Sequence, residues 1–139
     1  MRFLDRWSPE LLSVLRIIAA LLFLEHGTVK LFGFPMNPEG GMPAPVFLSL
    51  IWFAGVIELV GGALLAIGLW TRIVAFICAG EMAFAYFMAH APQNFFPINN
   101  NGDSAILYCF VFLYIAAAGP GPWSVDAIVG TRRRGPAVT

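Results

Sequence analysis

Glu25, His26 and Lys30 stand together in LEHGTVKLFG, inside a run whose other residues are largely apolar. Three more charges interrupt apolar stretches: Arg16 in SVLRIIAALLF, Glu58 in AGVIELVGGALL and Glu81 in CAGEMAF. An imidazole, an amine and an acid at this spacing could grip an anionic or carbonyl-bearing ligand, and buried carboxyls could exchange protons with it. His26, Lys30 and Glu25 are therefore the ligand-binding candidates.

An unpaired charge at the centre of a bilayer costs about 2.5–3.5 kcal/mol on insertion scales, so several of them are expected to face one another. Counting along each helix from its nearest polar end puts Arg16 about 8 Å, Glu81 about 13 Å and Glu58 about 16 Å deep. The expectation is a buried cluster of Arg16, Glu58 and Glu81, in which one carboxyl holds a proton because only one cation is near. At about 100° per residue, Arg16, Phe23, Gly27 and Lys30 share one face of the first helix, with His26 on its flank and Glu25 opposite. Gly55, Glu58 and Gly62 line one face of the second, where small residues allow close approach of another helix.

The elements that must hold these residues are membrane spans. Of 139 residues, 59% are hydrophobic and 12% charged, against about 25% charged in soluble domains. Net charge is zero, which gives no reason to propose nucleic-acid binding. Four spans are expected, over residues 9–34, 46–69, 73–91 and 103–118, within a single domain of residues 1–139. Ser8 as N-cap, Pro9 at the first helical position and Glu10 in the first turn mark the start of the first. Glu25 and His26 stand where a signal-peptide cleavage site would, so this run reads as a retained span.

Arg2, Arg6, Arg72 and Arg132 to Arg134 fall on the side of the N-terminus, the second connection and the C-terminus. The positive-inside rule then places both termini in the cytoplasm. Trp7, Trp70 and Trp123 at that interface and Trp52 at the other agree with it. The fold class is an all-α integral membrane four-helix bundle. The RRR tail reads as an anchor on anionic lipid headgroups.

Cys78 and Cys109 lack redox spacing and read as free packing residues. His26 and His90 are the two histidines. No HExxH, CxxCH, Walker or dinucleotide-binding motif is present, so no metal site is expected. Haem between the two histidines is geometrically conceivable but disfavoured.

RIIAALLFLEHGTVKLFGF, GVIELVGGALLAIGLWTR and GPGPWSVDAIV together resemble the DoxX family of small bacterial membrane proteins, in order and over nearly the whole chain. His26, Gly27, Lys30 and Gly33 match its first motif, Glu58 its second, and Arg72 the basic turn that follows. Where many relatives carry Gly-Glu, this chain has Gly102-Asp103, a shorter acid. The resemblance implies a multi-pass protein of the bacterial cytoplasmic membrane, akin to thiosulfate:quinone oxidoreductase small subunits and to subunits of oxidative-stress complexes. Three functions follow as expectations. The first is a subunit or anchor of a quinone-linked or oxidative-stress redox system, with a redox partner protein. The second is a quinone-binding oxidoreductase in its own right. The third is a small transporter acting as a homo-oligomer. Quinone is the one cofactor implied, and membrane lipids are expected partners in each case.

Overall fold

The computed structural model describes residues 2–36 and 45–133, and every regular element among them is helical. A short helix α1 (Arg2–Asp5) leads into α2 (Ser8–Phe32), which is followed by α3 (Leu50–Ile67) and α4 (Thr71–Ala85). A single π-helical stretch, Tyr86–His90, prolongs α4. A one-turn helix α5 (Pro97–Asn100), then α6 (Asp103–Ala118) and α7 (Val125–Arg133), complete the chain.

Among the described residues, three helices are long and apolar enough to cross a bilayer: Ser8–Phe32, Leu50–Ile67 and Thr71–His90. Helix α6, at 16 residues, is apolar but shorter. The expected outer loop at residues 37–44 and the basic tail from residue 134 lie outside the described residues.

The ends of the helices follow local chemistry. Ser8 is not an N-cap, as expected from sequence, but the first helical residue. α1 turns directly into α2, and the Leu11 N–H donates to the Trp7 carbonyl at 2.9 Å, so the chain arrives already in a turn. The second apolar helix starts later than expected, because Ser49 caps it by accepting from Trp52 N–H at 3.2 Å. Gly33 and Gly68 end α2 and α3 with φ of 65° and 70°, left-handed values that glycine adopts without a Cβ penalty.

Packing fixes the register. Helix α2 lies along α3 and α4 along α6, and the two pairs meet through α3 with α4 and α2 with α6. A Cβ on Gly27 would come within 2.5 Å of the Leu59 backbone nitrogen, and one on Gly62 within 2.9 Å of the Ala20 carbonyl. These two glycines let the backbones of α2 and α3 touch. Since the helices are antiparallel, Gly27 beside Gly55 and Leu59 and Gly62 beside Ala20 and Leu24 put Glu58 level with His26, and Arg16 level with Gly68. A Cβ on Gly61 would meet the Cys78 sulfur at 2.6 Å, which sets α4 against α3 and puts Glu81 level with Glu58. Both cysteines are free, and Cys78 is buried in this contact. Phe23, Phe112 and Tyr108 fill the space between α2 and α6, with Phe23 and Phe112 ring centres 4.8 Å apart.

Candidate functional site

The six singled-out residues divide between two ends of the helices. The proximal end holds the N-terminus of α2 and the C-termini of α3 and α6. The distal end holds the C-terminus of α2 and the N-terminus of α3.

Arg16 belongs to the proximal end and does not join Glu58 and Glu81. Its guanidinium is fully buried and donates to four backbone carbonyls. Nε reaches Pro120 at 2.7 Å, Nη1 reaches Leu65 and, at 2.8 Å, Ala66, and Nη2 reaches Trp123 at 2.5 Å. Leu65 and Ala66 lie in the last turn of α3, whose carbonyls lack partners within the helix and carry the negative end of its dipole. The expected cluster fails for a directional reason. Helical side chains lean toward their own N-terminus, so Arg16 on α2 points away from Glu58, into the proximal end.

Two more charges work there in the same way. Arg72 donates to Ala116 and Ala117 in the last turn of α6, at 2.8 and 2.5 Å. Asp126 on α7 accepts from the Trp70 and Thr71 N–H groups at the start of α4, at 2.9 and 2.8 Å. Burial acts to raise the Asp126 pKa, but those N–H donors and the nearby Arg16 charge outweigh it and hold the carboxyl below its ordinary value.

The same lean explains the distal end. Lys30, near the C-terminus of α2, points inward, while Glu58 on antiparallel α3 points outward to meet it. Their Nζ and Oε1 atoms are 2.5 Å apart, an ion pair that is almost fully buried on the Glu58 side. Glu81 lies within electrostatic range of both. The second oxygens of Glu58 and Glu81 are buried and have no hydrogen-bond partner among the described residues.

Beside this group, a cleft of about 670 Å³ opens between α3 and α4. Leu50, Ile51, Phe53, Ile57, Ile77, Phe84 and Met88 form its apolar walls, and Lys30, Glu81 and His90 supply its polar groups. His90 is placed by the π-helical stretch, with Nδ1 2.9 Å from the Asn100 carbonyl. A carbonyl only accepts, so Nδ1 carries its hydrogen there. Asn100 is itself buried and held by the Asn94 carbonyl and the Gly102 N–H.

The ligand candidates are thus only partly brought together. Lys30 lines the cleft, whereas Glu25 and His26 are exposed on the outer side of α2, and neither lines it. The His26 ring meets Tyr108 of α6 edge-on at 5.9 Å. Sequence reasoning missed the Lys30–Glu58 pair, which the lean of helical side chains could have revealed. It also missed His90 as a cleft residue, because no periodicity signals a π-helical stretch.

Apolar helices of membrane-crossing length, with ionisable groups held between them, define a helical membrane protein. The chain belongs to the DoxX family, whose profile matches residues 11–91. An uncharacterized protein of Haemophilus influenzae is 44% identical over 129 residues, 91% of this chain and 96% of that one. An uncharacterized membrane protein of Mycobacterium tuberculosis is 28% identical over 149 residues, 94% of this chain and 88% of that one. No solved structure matches the chain.

Proposed function

We propose that the cleft between α3 and α4 receives the head group of an amphipathic, carbonyl-bearing molecule of the membrane, a quinone by chemical class. On this reading the protein serves as a quinone-holding subunit of a membrane redox system. The observation that carries it is the pair of unpartnered buried carboxyl oxygens, on Glu58 and Glu81, beside an apolar cleft that also holds Lys30 and His90. Buried polar atoms without partners are rare and call for an explanation. The hydroxyls of the reduced form of such a ligand would donate to these oxygens, and a protonated carboxyl would donate to the carbonyl of the oxidised form.

The donor set fits such a ligand. Lys30 is a cation suited to a carbonyl or anionic oxygen, and the His90 Nε2, an acceptor while Nδ1 carries the hydrogen, is left to take a hydroxyl of the reduced ligand. The apolar walls suit a hydrocarbon tail. A bound quinone would supply electron transfer coupled to proton uptake. Glu58 and Glu81 are the groups of this chain able to hold or deliver a proton there.

Four spans in the bacterial cytoplasmic membrane, with α6 as the short fourth and both termini cytoplasmic, complete the proposal. Exposed Trp7, Trp70 and Trp123 at the proximal end and the basic residues near it support that orientation. The experiment is gentle purification from native membranes, followed by extraction and mass spectrometry of bound small molecules. Quinone at about one per protein, lost in Lys30→Ala, is the expected result. Bulk lipid alone in both proteins would refute the proposal.

A further inference from the structure

Glu25 presents a different problem from the cleft residues. It is exposed on the face of α2 turned away from α3, and no hydrogen bond or ion pair reaches its carboxyl among the described residues. It lies seven residues before the last residue of α2, or about 10 Å from the distal end of that helix. The side chain of a glutamate is too short to reach the headgroups from there, so on this face it would stand in hydrocarbon, which is costly.

The residues around it repeat with a definite period. Leu11, Leu15, Ile18, Leu22, Glu25, Val29 and Phe32 follow one another at alternating steps of four and three. Most of them are exposed, and none packs in the apolar core between the helices. Alternating steps of four and three produce the seam of a left-handed helix pair, in which each seam residue enters a hole on the facing helix. Membrane helices commonly pair in this geometry.

His26, the next residue, is also exposed, and its ring is set by the edge contact with Tyr108. We propose that the outer face of α2 binds the same face of a second copy of this chain, with Glu25 of each copy meeting His26 of the other.

The occupant follows from charge and symmetry. One face carries an unpartnered acceptor and a ring donor at nearly one depth, separated by about 1.5 Å along the helix axis. A two-fold axis along the membrane normal keeps depth unchanged and brings one flank of each helix against the opposite flank of the other. Glu25 and His26 lie on opposite flanks of the seam, so both pairs form at once, as an isologous interface requires. The seam contains none of the residues that line the cleft, so this inference stands apart from the proposed function.

The test is cysteine cross-linking in native membranes, in a Cys109→Ala background. Leu22→Cys is expected to give an oxidised species of twice the protomer mass. Phe76→Cys, on the exposed side of α4, is the control and is expected to give little. Adding Glu25→Ala removes both symmetric pairs and should weaken association roughly tenfold to several hundredfold, the square of the loss for a single interhelical hydrogen bond in membranes. The exchanged pair Glu25→His with His26→Glu should restore it. Absence of the doubled species, or equal cross-linking of Phe76→Cys, would overturn the proposal. So would an adduct of another mass, which would assign the face to a different protein. Failure of the exchange to restore association lost in Glu25→Ala would overturn the Glu25–His26 pairing.

Discussion

The proximal and distal ends both bury charge, but they treat it differently. At the proximal end, Arg16, Arg72 and Asp126 each meet the backbone groups that a helix terminus leaves unpaired, and each sign matches the dipole it faces. Those charges are consumed by the fold. At the distal end, Lys30 and Glu58 satisfy each other, but the second oxygens of Glu58 and Glu81 are left over, and a cleft opens beside them. A buried charge in this protein is therefore not in itself a sign of function. Glu10 Oε2 and Thr71 Oγ1, at the proximal end, are also buried without a hydrogen-bond partner among the described residues. What distinguishes the distal site is two leftover carboxyl oxygens beside an apolar cleft that also holds a cation and a ring nitrogen.

The comparison can be broken most forcefully at Arg16. Arg16→Leu strips the charged donor from four carbonyls and is expected to cost about 3–5 kcal/mol, as when one partner of a buried charged network is removed. Thermal or denaturant unfolding in detergent reads this directly. A loss below about 1 kcal/mol would mean that those carbonyls find other partners and that the proximal end is not a structural lock.

Gly62→Leu asks whether the two ends depend on one helix interface. A larger side chain there must push α2 from α3, at a cost of about 1–3 kcal/mol. Ligand affinity and stability should fall together, since Lys30 and Glu58 sit on those two helices. If stability falls while affinity holds, the Lys30–Glu58 geometry does not depend on this contact.

Lys30→Met should do the reverse, reducing decylubiquinone affinity tenfold or more, about 1.4 kcal/mol. Its effect on folding is expected to be smaller than that of Arg16→Leu. Equal stability losses from the two variants would erase the distinction between the ends.

The smallest effect is a pH dependence at the proximal end. Because the Asp126 pKa is held below its ordinary value, its contribution to stability is complete above that ordinary value, about 3.9. It is lost as pH falls through the lowered value, where the folded state takes up the proton. Asp126→Asn should reduce stability slightly at neutral pH and remove this acid-side decline, as melting curves between pH 3 and 7 would reveal.

Much of the architecture was legible in the sequence, because apolar runs interrupted by proline, glycine and polar loops mark helices without ambiguity. Gly55 and Gly62 announced the close contact of α3 with α2, and it is there. The site was less legible. Depth counted along each helix placed Arg16, Glu58 and Glu81 together, but α2 begins further out than that count assumed, and side-chain direction was left out. The register sets Arg16 beside Gly68, and the shared lean of α2 side chains carries Arg16 away from Glu58 but brings Lys30 toward it. The cleft itself, and His90 within it, depend on how α3 and α4 diverge and on a π-helical stretch, neither of which leaves a periodic trace.

The most direct test of the contrast between the ends is the rise in melting temperature caused by decylubiquinone, compared across variants of both. Binding to the folded state alone raises stability in proportion to affinity. Wild-type protein and Arg72→Gln should show the same rise, although Arg72→Gln starts from a lower melting temperature, while Lys30→Met and Glu81→Gln should show little or none. A rise that survives unchanged in Lys30→Met and Glu81→Gln, or that disappears in Arg72→Gln, would contradict the assignment of ligand binding to the distal cleft.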